Sequence, residues 1–125
     1  MTLAVASPSA RAARSLRFAL MSSTVHSEGP RIVVALRGEA DVSTRPVISD
    51  VLSRVIAMRS GDVVIDLAQL DFIDTATVRV MAEAQRLLDV CGRTLTFRSP
   101  SRLAVQVMAV FGLTHLIEVR EDARL

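Results

Sequence analysis

Lysine, tryptophan and tyrosine are missing from this chain, cysteine occurs once, and only 4 of its 125 residues are phenylalanine. Each shortage excludes something. The lone thiol of Cys91 cannot build a disulfide framework, which fits a reducing, cytoplasmic setting. With so few rings, the core must be packed from Val, Leu, Ile, Met and Ala. The same scarcity removes the aromatic side chains that normally interleave a basic nucleic-acid surface. Nor does any apolar run approach the roughly 20 residues that span a bilayer, so direct membrane insertion is not expected.

Charge is unevenly placed. All 15 basic residues are Arg, against 13 acids, a formal net charge of +2. Arg11, Arg14 and Arg17 fall within the first twenty residues, which hold no acid. From Met21 onward, 12 Arg against 13 acids leaves 12 − 13 = −1. The body therefore has no basic excess to offer a nucleic acid. Residues 1–20 share the small, Arg-bearing composition of transit peptides. Two plainer readings stand beside that one: a disordered tail, or an over-long start with Met21 as the initiator. The expected division is an extension over 1–20 and one domain over 21–125.

The usual chemical machinery is also missing. There is no Gly-rich phosphate loop before a helix and no Gly-x-Ser-x-Gly elbow. His26 and His115 stand apart, without neighbours at metal-ligand spacing. Cys91 has no base nearby in sequence and reads as a partly buried, inert thiol. These absences point to a domain that is bound or acted upon, not to an enzyme. No cofactor is expected.

What is present is an alternation of short extended and helical runs. Residues 21–26 and Arg31 to Arg37 flank a Ser-Glu-Gly-Pro turn and predict a hairpin. A helix is expected from Thr44 to Arg59, with Pro46 in its first turn and an apolar face at Val47, Val51, Leu52, Val55 and Ile56. Val63 to Leu67 reads as a covered strand. A second helix follows Asp74 with Val80, Ala84, Leu87 and Leu88 inward, ending at Gly92. A strand at Thr94 to Phe97 leads to a third helix opened by Ser99-Pro100, with Leu103, Val107 and Val110 inward. Leu116 to Val119 reads as a last strand. Such alternation predicts an α/β fold: a mixed, mostly parallel sheet opened by an antiparallel hairpin and flanked by three or four helices.

Four short motifs fall in order along this pattern. They are Gly38-Glu39-Ala40-Asp41, then Val63 to Leu67 followed by Phe72-Ile73-Asp74-Thr75-Ala76-Thr77, then Gly92-Arg93-Thr94-Leu95, and finally Phe111-Gly112-Leu113. Together they resemble the STAS domain, in particular bacterial anti-sigma factor antagonists, over essentially all of residues 21–125. The resemblance implies a partner switch. The unphosphorylated domain binds an anti-sigma factor that is also a serine-protein kinase of the GHKL type. That kinase, using its own ATP, phosphorylates the hydroxyl residue after the motif's Asp, and a phosphatase reverses the modification. Carried onto this chain, the acceptor is Thr75. The partner-binding positions are Asp41, Asp74, Thr75, Ala76, Thr77 and Arg79.

The chain departs from the family pattern within this stretch. Thr75 stands where Ser is usual, Ala76 replaces a second hydroxyl residue, and Thr77-Val78-Arg79 replaces Gly-Leu-Gly. An added methyl, bulk and charge there imply a partner unlike the family's commonest one. Asp74 and Thr75 are also ordinary helix-capping residue types, which explains them without any switch. The alternatives to a sigma-factor switch are an accessory subunit of a lipid ABC-type membrane transport complex, and a STAS scaffold that is not phosphorylated.

Overall fold

The computed structural model describes residues 21–58 and 60–119. The readings of residues 1–20, and of Arg59 as a helix end, lie outside the described residues. Strand β1 (Met21–Glu28) turns through Gly29-Pro30 into β2 (Arg31–Ala40). Helix α1 (Arg45–Ala57) leads to β3 (Val63–Ile73), and α2 (Thr75–Val90) leads to β4 (Leu95–Arg98). Helix α3 (Arg102–Val110) and a 3-10 turn at Thr114–Leu116 complete the described chain.

The strands form one sheet in the order β1-β2-β3-β4. The hairpin pair is antiparallel, while β2–β3 and β3–β4 are parallel. Helices are the natural crossovers between parallel strands, which accounts for α1 and α2. This is the mixed sheet with three helices expected from the alternation.

Side chains alternate between the two faces of the sheet. Val34, Leu36, Val63, Ile65, Leu95 and Phe97 meet the inner faces of all three helices in a single aliphatic core. Each such side chain taken out of water contributes about 1.5–3 kcal/mol. Helix α1 buries Ile48, Val51, Leu52 and Val55, and α2 buries Val78, Met81, Ala84 and Leu88.

Several expectations need correction. Helix α3 faces inward through Ala104 and Met108, whereas Leu103 and Val110 are exposed. The helix is capped by Ser101, not Ser99, and because it is apolar nearly all round, packing and not spacing selects the stripe that meets the sheet. The expected strand at Leu116 to Val119 is a 3-10 turn followed by one bridge, Ile117 with Phe97. The chain runs parallel to β4 only briefly there, adding a bond from Glu118 N–H to Phe97 O at 2.7 Å. Val47 and Leu87 lie on the solvent side of their helices, and Cys91 is exposed.

One buried cation joins the α2–β4 connection to the α1–β3 connection. Arg93 is buried, and its guanidinium fans over main-chain carbonyls at the end of α1 and in the loop beyond it. Nε donates to Gly61 O at 2.8 Å, Nη1 to Met58 O at 2.7 Å and Ile56 O at 3.2 Å, and Nη2 to Val55 O at 3.2 Å. The last carbonyls of a helix have no intrahelical donors, and this side chain supplies them. Gly61 is suited to its place: its φ is +106°, and a Cβ there would approach Pro30 O to 3.2 Å.

On the face away from the helices, an ion network crosses the sheet. Arg98 binds Glu28 with both Nη groups, at 3.0 and 2.8 Å, and Glu118 through Nε at 2.6 Å. Arg31 bridges the same two carboxylates at 2.8 and 2.9 Å. The Arg98 hydrogen bonds hold Glu28 at about 2, below its ordinary 4.5, and they lower Glu118 as well.

Two outcomes are expected. Replacing Arg93 with Met, which cannot donate, should lower stability by about 2–4 kcal/mol in urea unfolding, since several buried carbonyls lose their donor. Because the Glu28 pKa is depressed on folding, its contribution is complete above about pH 4.5 and fades as the pH falls toward 2. A Glu28→Gln variant should therefore show a flatter loss of urea midpoint over that acid window than the parent.

Candidate functional site

Strands β2 and β3 run parallel and pair to their ends, with Glu39 opposite Phe72 and Ala40 opposite Ile73. The next residue on each strand is an acid, so Asp41 and Asp74 leave the same end of the sheet side by side. The Asp74 N–H donates to Ala40 O at 3.0 Å, which ties the two exits together. In parallel α/β sheets this carboxyl end of the strands is where sites are usually built.

Asp41 shapes a turn. Its Oδ1 accepts from the Ser43 hydroxyl at 2.7 Å, the Ser43 N–H at 3.0 Å and the Thr44 N–H at 3.3 Å. The Ser43 hydroxyl bond leads the interactions that lower its pKa from 3.8. Thr44 is buried; its hydroxyl donates to Glu39 O at 2.7 Å and accepts from the Asp41 N–H at 2.9 Å. The acid of the first motif is thus consumed in aiming the chain into α1.

Asp74 divides its two oxygens. Oδ1 accepts the Thr77 N–H at 2.8 Å and caps α2, while Oδ2 meets Arg45 Nη2 at 3.0 Å. Burial works against ionisation of Asp74, but its hydrogen bonds with Thr77 and the Arg45 guanidinium outweigh that and lower its pKa. Arg45 opens α1 just before Pro46, 29 residues from its partner. Sequence reasoning missed Arg45, because nothing local in the sequence signals a pairing made across two strand ends.

The remaining positions separate in space. Thr75 is exposed at the first residue of α2, and Ala76 is half-buried. Thr77 is completely buried, so the expectation that its side chain belongs to a contact surface is corrected. The cap that brings its N–H to Asp74 turns its side chain under the helix. Arg79 is exposed, with its guanidinium 5.9 Å from the ring centroid of Phe111 at the end of α3. That distance suits a cation–π contact. Phe72, one residue before the paired end of β3, is 43% exposed, on the strand side opposite Ile73. The described surface is therefore Asp74, Thr75 and Ala76, flanked by Arg45 on one side and by Arg79 over Phe111 on the other. Among the described residues, no three His, Cys, Asp or Glu side chains gather as a metal-ligand set.

The Thr77 hydroxyl is buried and makes no hydrogen bond of standard geometry among the described residues, yet it faces Asp74 closely enough to help hold that carboxyl ionised.

The comparisons with known proteins agree with this geometry. The family model described as "Mlab, STAS domain" matches residues 23–118. Among solved structures, an anti-sigma factor antagonist from Mycobacterium paratuberculosis superposes with a TM-score of 0.72 at 20% identity, covering 83% of this chain and 91% of that one. The phosphorylated form of the Bacillus cell fate determinant SpoIIAA gives 0.66 at 19% identity, covering 82% and 96%. A variant of RsbS from Moorella thermoacetica gives 0.60 at 21% identity, covering 73% and 78%. At these identities the structures bear on the fold alone. The curated proteins give no match. The family match extends over most of the chain and takes in the paired strand ends, the Asp74 cap and the helix it starts: this chain belongs to the STAS domain family.

Proposed function

We propose that this domain is a non-enzymatic partner-switching module of the anti-sigma factor antagonist kind, controlled by phosphorylation of Thr75. One observation carries the reading: Thr75 is exposed on the first turn of a sixteen-residue helix whose cap is already made by its neighbour. Its hydroxyl can therefore be modified without dismantling the cap. Free N–H groups and the helix dipole at that end favour an added anion. SpoIIAA, a structural relative described as an anti-sigma factor antagonist, exists in unphosphorylated and phosphorylated forms, which supports the same logic here.

In this reading the partner is an anti-sigma factor or serine-protein kinase of the GHKL type that brings its own ATP. The γ-phosphoryl group passes to Thr75 Oγ1, the hydroxyl proton leaves, and ADP remains with the kinase. The domain gains a charge of about −1.5 to −2 on its contact surface. A 100-fold loss of affinity requires only about 2.7 kcal/mol, a modest demand on a charge that must be desolvated at an interface. A phosphatase resets the switch.

A second reading is favoured by one feature. Between α1 and α2 lies an apolar depression of about 190 Å³, lined by Leu52, Ile56, Val80, Ala84 and Leu87 among others. An accessory subunit of a membrane transport complex could dock an ATPase there with no modification at all.

A pull-down with the parent, Thr75→Ala and Thr75→Glu separates the two. The switch predicts that the Ala variant retains a kinase-like partner and that the Glu variant loses it by about 100-fold in affinity. Identical partners and affinities for all three proteins would sink the switch and favour constitutive docking.

A further inference from the structure

The Arg45–Asp74 pair has a feature that a purely structural ion pair would not need. Its guanidinium engages the carboxylate through one nitrogen and one oxygen, Nη2 to Oδ2 at 3.0 Å. Arginine is built for two parallel bonds to a planar or tetrahedral anion, and this contact uses one. Arg45 Nε is buried without a partner among the described residues. The side chains of Arg45 and Asp74 remain 28% and 26% exposed, so the pair is open to solvent along one edge. A donor group that is only partly satisfied, beside an exposed hydroxyl, is suited to receive an anion placed on that hydroxyl.

We propose that Arg45 is the phosphate-reading residue of this site: once Thr75 is phosphorylated, the Arg45 guanidinium leaves Asp74 Oδ2 for the phosphate oxygens. The inference rests on the modification of Thr75 proposed above and adds the group that responds to it. A dianionic phosphate offers Arg45 more charge and more acceptor oxygens than a carboxylate already bound at its other oxygen. Asp74 can release Arg45 without loss of the helix start, because Oδ1 keeps its bond to the Thr77 N–H. The exchange involves no covalent change beyond the phosphorylation itself. Its effect is to uncover the Asp74 carboxylate beside the phosphate and to pull on the first residue of α1. Arg45 thereby connects the modified helix to the Asp41 turn, which lies immediately before α1 begins.

The test needs neither kinase nor partner. Phosphothreonine is installed at position 75 by stop-codon suppression, and the second phosphate ionisation, near pH ~6 for an unperturbed group, is followed by phosphorus NMR. A guanidinium on the phosphate favours its dianion, so the midpoint in the parent should lie about one unit below that of Arg45→Gln. Arg45→Lys, which keeps the charge but not the fork, should fall between them and guards against misfolding of the Gln variant. Phosphorylation should also move the Arg45 Nε–H proton signal in the otherwise unaltered chain. Equal midpoints in the parent and both variants, or an Arg45 signal that does not move, would overturn the proposal. Because no partner is present, this outcome is independent of the pull-down. A domain whose partners ignore Thr75 could still pass, and a true switch could still fail.

Discussion

The main-chain bond from Asp74 to Ala40 is the constraint on which the site depends. It extends the β2–β3 ladder one residue past its last paired couple and holds two strand exits at a fixed separation. Both exits then turn immediately into helices, one through the Asp41 turn and one through the Asp74 cap. A slip in this parallel register would carry Ile73 out of the core and turn Asp74 inward, since faces alternate residue by residue. Hydrophobic burial along β3 and the placing of the acids are therefore one requirement. The same pairing makes the Arg45–Asp74 contact possible, since it joins the first residue of one helix to the cap of the next.

Stability and site lie at opposite ends of the sheet. Arg93 closes the far end of α1, and the Glu28–Arg98–Glu118 network spans the face that carries no helix. Neither touches the strand exits where Thr75 is displayed. A charge added at Thr75 thus acts on a surface whose supporting elements are secured elsewhere. This arrangement suits a domain that must alter what it binds while keeping its fold. Among the described residues, the buried Arg45 Nε has no partner, and it belongs to the side chain that holds Asp74.

Much of the architecture was legible because the sequence obeys local rules. Val63 to Leu67 is a strand, as its apolar run implies, and the Asp74 cap sets the start of α2, whose expected inner residues Ala84 and Leu88 are buried. The hairpin around Gly29-Pro30 is written in turn residues. Failures came where two local signals competed. Helix α3 is apolar nearly all round, so the spacing of Leu103, Val107 and Val110 competes with that of Ala104 and Met108, which the sheet selects. Ile117 looks like part of a strand, yet the chain meets β4 at a single bridge. At the site, Thr75 and Asp74 could be placed from their motif, whereas the burial of Thr77 follows from the cap geometry. Arg45 and Phe111 could not be found, because each acquires its role from a contact across the fold: Arg45 with Asp74, Phe111 with Arg79.

The fan of bonds from Arg93 has a mechanical consequence. Helix ends ordinarily fray, and fraying absorbs small disturbances before they travel. With Val55 O, Ile56 O and Met58 O held by one guanidinium, the last turn of α1 has little freedom to unwind. A pull on Arg45 at the other end is then not dissipated along the helix. Such a pull would meet a helix held at its far end by Arg93, along one wall of the apolar depression between α1 and α2.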